Sequence, residues 1–181
     1  MLGVVFTEFM EMVEDEFSFD VADEIMEISG VGVETGFTAV QEYSHTDMVK
    51  LVAALHKVTG MDIDALITAF GQHLFQRFTV THSQFFSGAT CSLDFLENIE
   101  GYIHVEVKKL YPNAELPTFR CIRHAPDKLE MNYKSKRPFG DLAHGLIRGC
   151  GKHFKDELDI ERTDRNGLHE VQFMVCRKRP V

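Results

Sequence analysis

Basic residues are in short supply: 19 Lys and Arg stand against 28 Asp and Glu, a formal net charge of −9. That balance argues against nucleic acid as a partner, because such domains show a basic stripe aimed at phosphates. The short basic end Arg177-Lys178-Arg179 is too small to reverse it. No apolar run approaches the roughly 20 residues that cross a bilayer, so no membrane partner is expected. The first 17 residues hold five acids, the last at Glu16, unlike a secretory leader. The four cysteines, at 91, 121, 150 and 176, are scattered and form no CxxC pair. A reducing compartment, and hence the cytoplasm, is the simplest expectation. A nucleophile elbow and a Gly-rich phosphate loop are both missing, which leaves no signature of those catalytic classes. Repeats, low-complexity runs and flexible linkers are missing too, and residues 1–181 are expected to form one domain with a substantial core.

What the chain does have is a change of hydrophobic period. LGVVFTEFMEMVEDEF places Val5, Phe9, Met12 and Val13 on one helical face and acids on the other. FDVADEIMEISG repeats the pattern and is expected to stop at Gly30. GVGVETGFTAVQEYS then reads as a Gly- and Thr-rich turn with room for a short strand. SHTDMVKLVAALHKVTG has a cap at Ser44 or Thr46 and a stop at Gly60, and MDIDALITAFGQHLFQRFTVTH is a further strong amphipath. SLDFLENIEGYIHVEVKKLYP predicts one helix from Ser92 to just before Pro112, with Phe95, Leu96, Ile99, Ile103, Val107 and Leu110 inward. After Pro117 the period falls to two. TFRCIRH and KLEMNYKSKR alternate as strands about the turn APDK, FGDLAHGLIRGCGKHFKDEL returns to helical spacing, and LDIERTD and LHEVQFMVCRK form two strands about Asp164-Arg165-Asn166-Gly167. The expected architecture is α+β: a helical N-terminal part packed on an antiparallel sheet, with one long helix inserted between its strands.

Two features have chemical content. His104 lies beside an apolar stripe, with Gly101 and Val107 one turn away on either side and no acidic or cysteine partner read at ligand spacing. A flat apolar ligand anchored through one imidazole nitrogen suits such a face, as haem iron does; a partly buried histidine donating to a carbonyl suits it too. In YKSKR, strand alternation points Tyr133, Ser135 and Arg137 to one face and Lys134 and Lys136 to the other. Two hydroxyls and a guanidinium match neighbouring carboxylates such as the haem propionates, while an edge strand of mixed polar residues is the plainer alternative.

Taken together, His104, the following Tyr-Pro, Pro117 and then YxSxR resemble the haem nitric oxide/oxygen-binding (H-NOX) family. That family includes the haem domain of soluble guanylate cyclase and free-standing bacterial sensors. The likeness runs from LGVVFTEFMEMVE through AFGQHLFQRF and IHVEVKKLYPNAELPTFRC to YKSKR and GLIRGCGKHF. It implies a haem b (iron protoporphyrin IX) buried between a distal helical part, about residues 1–60, and a proximal helix-and-sheet part, about 61–181. His104 then resembles the proximal iron ligand, on a helix that moves when the iron–histidine bond weakens or breaks. Tyr133, Ser135 and Arg137 resemble the propionate clamp, and Pro117 the proline that presses on the porphyrin, although a plain strand entry suits Pro117 as well. Val5 and Phe9 resemble the distal wall, with Leu74, Phe78 and Leu142 the remaining distal contacts.

The resemblance also bears on the gas. Oxygen-binding relatives carry a tyrosine in the helix after YxSxR, where this chain has Leu142, and its tyrosines at 43, 102, 111 and 133 fall outside the distal positions. An apolar pocket of that kind favours nitric oxide and carbon monoxide over oxygen, unless His73 or His144 turns inward. The implied function is a stand-alone cytoplasmic sensor of nitric oxide at ferrous haem, with no catalytic activity of its own. Its signal would pass to a separate protein, such as a histidine kinase or a cyclic-di-GMP enzyme. An oxygen- or redox-sensing haem protein and a haem-free interaction module remain the alternatives. Cys150, His153, His169 and Cys176 admit a zinc site, but scattered buried cysteines suit that spacing better.

Overall fold

Helix ends fall where the chain supplies capping chemistry. In the computed structural model, which describes residues 1–178, α1 covers Gly3–Glu16, α2 Phe19–Ser29, α3 His45–Thr59 and α4 Ile63–Thr81. Ser18 Oγ accepts from Val21 N and Ser44 Oγ from Thr46 N, each satisfying an N–H with no partner inside its helix. At the far ends Gly30 and Gly60 take left-handed φ values of 68° and 72°, which lets their N–H groups bond back to Met26 and His56. The 30–44 stretch holds no strand. Its one sheet-like contact is an isolated bridge between Leu2 and Glu42, beside which Gly3 N donates to Gln41 O at 2.7 Å.

The segment expected as one helix from Ser92 is broken in three. It runs as α5, Ser92–Glu97, a π turn over Ile99–Ile103, and α6, His104–Leu110. Asn98 is the physical cause. Its side-chain Nδ2 donates to Asp94 O at 2.8 Å, taking the carbonyl that its own backbone N–H would have used. That N–H moves to Phe95 O instead, while Ile103 N and His104 N reach five residues back to Asn98 O and Ile99 O. Gly101, inside the turn, does little to resist the widening. The broken helix also leaves Leu110, expected inward, 55% exposed.

Four antiparallel strands follow in the order β1-β2-β4-β3: β1 Thr118–Ala125, β2 Lys128–Lys134, β3 Leu158–Asp164 and β4 Glu170–Arg177. The inserted helix α7 spans Gly140–Phe154. β2 ends at Lys134, so of YKSKR only Tyr133 and Lys134 lie in the strand, and Ser135 and Arg137 fall beyond it. Its partner β4 begins at Glu170, opposite Lys134, and Pro138 offers no N–H to continue a ladder. Ser135 N still donates to His169 O, after which Arg137 N turns back onto Ser135 Oγ. Arg179, in the basic end noted above, lies outside the described residues.

Packing divides into two cores. The first joins α1, α2 and α3 to Leu66, Phe70 and Leu74 of α4. The second lies on one sheet face, where the period of two buries Leu129, Met131 and Tyr133 of β2 beside Val171, Phe173 and Val175 of β4. α7 covers that face with Ala143, Ile147 and Cys150, and Phe75 extends α4 into it. α4 and α7 cross where Gly71 meets Gly145: a Cβ on Gly145 would stand 2.2 Å from Thr68 O and 2.8 Å from Gly71 Cα. Only hydrogen on both residues permits that approach. No helix among the described residues is long and apolar enough to cross a membrane.

Candidate functional site

Between the two cores lies a cavity of about 480 Å³, within the size range of small-molecule and cofactor sites. Its walls are largely aliphatic and aromatic. Val5 comes from α1, Leu74 and Phe78 from α4, and Leu142 from α7, all partly or fully buried. Phe9 does not reach it. The helical period turns Phe9 away from the cavity, fully buried against the edge of Phe70 with ring centroids 5.2 Å apart. Residues not assigned to the site from the sequence complete the walls: Phe86 and Phe95 stack on one another, Phe75 meets both edge-to-face, and Leu146 repeats Leu142 one turn on. The signal for Leu146 was its i+4 spacing from Leu142; the aromatic cluster is assembled by three separate elements and had none.

His104 stands on the wall formed by α6 and the π turn, together with Ile99, Ile103 and Val107. Its side chain is 13% exposed. Gly101, expected to flank the ligand face, is exposed, with open space where a Cβ would stand. The expectation that His104 has no acidic partner is also corrected: Glu100, four residues earlier, brings Oε2 to 3.2 Å from His104 Nδ1. The same oxygen accepts from Phe119 N of β1 at 2.9 Å. Burial lowers the His104 pKa, with Glu100 acting in the opposite direction, and a neutral imidazole is the form that ligates metal. Among the described residues Nε2 has no hydrogen-bond partner.

Polar groups gather at one end of the cavity. Tyr133, Ser135 and Arg137 all line it, brought together by the bend after β2 rather than by strand alternation. Burial raises the Tyr133 phenol, which therefore stays a donor. Arg137 Nη2 contacts Glu115 Oε2 at 2.7 Å, and Lys136 Nζ lies 3.6 Å from the other oxygen of that carboxylate. A carboxylate of the chain thus occupies the guanidinium fork that suits a ligand's acid group. Pro117 lines the cavity between Glu115 and β1.

Three histidines need placing. His73 Nε2 is buried without a hydrogen-bond partner and lies 3.8 Å from Glu8 on the α1–α4 seam. His144 packs near Phe173, and neither ring lines the cavity. His82, which the sequence reading passed over, does line it, stacked on Phe85 with its Nδ1 2.8 Å from Thr81 Oγ1. Tyr111 lines the cavity too, on the α6 side.

The residues considered for zinc have separate surroundings. Cys150 Sγ lies 3.7 Å from Ser92 O, His153 packs on Phe75, Phe86 and Phe154, and His169 Nδ1 is 3.1 Å from Ser135 O. Cys176 is a free thiol on β4. Among the described residues, the grouping close enough to share a cation is Glu8, Glu11 and His73, where Arg77 already pairs with both carboxylates.

A family model described as haem-NO-binding matches residues 2–162. The chain is 27% identical over 191 residues to the soluble guanylate cyclase gcy-31 of Caenorhabditis elegans and 24% identical over 181 residues to gcy-35. These matches cover 98% and 96% of the chain but only 26% of each cyclase. Among solved structures, the unliganded Fe(II) H-NOX protein from K. algicida is 31% identical with a TM-score of 0.93, covering 100% of this chain and 98% of that one. The S. oneidensis H-NOX protein in its Fe(II)NO state matches in fold at a TM-score of 0.91 and 22% identity, covering 99% and 100% of the two chains.

Proposed function

The chain belongs to the haem-NO-binding family, whose domain is a haem-based gas sensor and not a catalyst, and we propose that it binds nitric oxide at a ferrous haem b held by His104. The observation that carries the proposal is one cavity with the His104 imidazole on its α6 wall, its Nε2 without a hydrogen-bond partner among the described residues, and a guanidinium with two hydroxyls at its end. These residues fit haem. The apolar walls suit the macrocycle, His104 Nε2 suits the iron, and Tyr133, Ser135 and Arg137 suit the propionates. A haem held there would supply a ferrous iron able to take a diatomic gas.

The remaining work falls to the chain. Val5, Leu74, Phe78 and Leu142 exclude water and offer no hydrogen to a bound gas, which favours nitric oxide and carbon monoxide over oxygen. Pro117 presses a rigid ring against the cavity edge. α6 carries His104 and would pass a change at that ligand to a signalling partner; a histidine kinase or cyclic-di-GMP enzyme in the cytoplasm fits that role. His82 favours a second reading, because an imidazole on the wall could donate to bound oxygen.

Mixing the ferrous protein with air under stopped flow separates the two. The proposal expects nitric oxide and carbon monoxide adducts and no lasting oxygen complex. A long-lived oxy spectrum that disappears in H82A would establish the second reading. For the ligand itself, H104G should lose the wild-type haem spectrum and regain it when free imidazole fills the space. An unchanged spectrum in H104G without imidazole would rule His104 out.

A further inference from the structure

Glu100 stands where a carboxylate can act on the cavity histidine through its far ring nitrogen. Its Oε2 lies 3.2 Å from His104 Nδ1 and accepts from Phe119 N at 2.9 Å, so one oxygen ties the π turn, the histidine and β1 together. The i, i+4 placement matters because the π turn ends where His104 begins, and an anchor is needed at that change of helical form. An acceptor at Nδ1 fixes the tautomer with the proton on that atom. Nε2 then presents its lone pair to the cavity.

Resting on the proposed role of His104 as iron ligand, we infer that Glu100 is the positioning residue of that ligand, orienting the ring and raising its donor strength. A carboxylate at the outer nitrogen makes imidazole more basic, and the bond at the inner nitrogen stronger, than a carbonyl acceptor does. Glu100 would therefore set how firmly His104 holds the iron. Its second bond, to Phe119 N, ties the carboxylate to β1 independently of α6.

Resonance Raman spectroscopy of the full ferrous protein tests this through the iron–histidine stretching band. Glu100→Gln retains an amide oxygen able to accept from Phe119 N but removes the charge. We expect its band at lower frequency than wild type, with unchanged circular dichroism. Haem transfer from the variant to excess apomyoglobin should be about tenfold faster, the lower end of the range for loss of an outer-shell partner. Glu100→Ala should shift the band at least as far, and serves if the glutamine variant folds poorly. Glu106→Gln, which removes an α6 carboxylate paired with Lys109, should leave the band in place. A wild-type band in both Glu100 variants would overturn the inference and leave Glu100 a structural tie. If the wild-type protein shows no such band, or H104G retains it, the assignment of His104 fails first, which is a distinct result.

Discussion

Arg137 and Lys136 share one carboxylate yet differ in surroundings. Arg137 keeps 18% of its side chain exposed and faces the cavity, while Lys136 is 88% exposed. The Glu115 carboxylate marks where an acid group sits in the Arg137 fork, and a propionate would compete for or share that place. A hydrogen bond to a charged group contributes about 1.5–3 kcal/mol, so R137A should lose haem about ten- to a hundredfold faster than wild type. K136A should remain near the wild-type rate, since an exposed pair contributes little. Haem transfer to a scavenger measures both, and equal rates for the two variants would remove Arg137 from the clamp. At this scale the candidate residues were legible where chemistry and spacing coincide. Tyr133, Ser135 and Arg137 do gather, but through a bend after β2 that Pro138 and the start of β4 impose. Phe9 was misplaced because a helix face wide enough to reach both core and cavity does not say which of its residues meets which. Glu100 stands at i−4 from His104, but spacing alone does not say that its carboxylate turns to Nδ1, which its bond from Phe119 N of β1 helps to fix.

At the scale of elements, caps and periods announced most of the fold. Ser44, Gly30 and Gly60 mark real helix ends, and the change of period after Pro117 marks the sheet. Two features depended on competition that a periodicity cannot register. Asn98 takes the carbonyl of Asp94 and so splits the helix before His104, and the 30–44 stretch packs as loop against Gly3 and Val4. The α4–α7 crossing was equally silent, because a glycine in a helical pattern does not disclose what approaches it. There the structure makes a sharp demand. A Cβ on Gly145 would lie 2.2 Å from Thr68 O, an atom of the backbone that cannot swing aside. G145A should therefore force the helices apart and destabilise the protein by about 1–3 kcal/mol, the usual range for overpacking. Leu142 and Leu146 flank that residue on the cavity side, so the gas-binding spectrum should shift along with the melting temperature. Gly149→Ala is a second test of the same crossing, because its Cβ would stand 2.7 Å from Phe75 Cβ, which ring rotation does not move, and 3.2 Å from Gln72 O. A G145A protein as stable as wild type would mean that the crossing opens at no cost.

For the molecule as a whole, the cavity lies between the two cores rather than inside either. Val5, Leu74 and Leu142 face it from the first, and Phe95, Tyr133 and Ile147 from the second. A ligand filling it contacts both, and so does more than occupy a site: it joins two bodies of apolar packing otherwise linked mainly through α4 and α7. Any ligand that binds only the folded chain stabilises it by RT ln(1 + [L]/Kd), about 2.7 kcal/mol when the free ligand is a hundredfold above Kd. For a protein of 181 residues, each kcal/mol moves the midpoint by about 2–4 °C. Haem-reconstituted protein should then melt roughly 5–11 °C above haem-stripped protein under those conditions. Amide exchange should slow most in the elements that meet across the cavity, the start of α1 and the π turn before His104, because their packing on one another depends on what lies between. Zinc protoporphyrin, which keeps the flat ring and both propionates, should reproduce most of the stabilisation in H104G, where the axial bond is gone. If the stripped and reconstituted proteins melt together, the two cores do not communicate through the cavity, and release of His104 would have no route to the helical half.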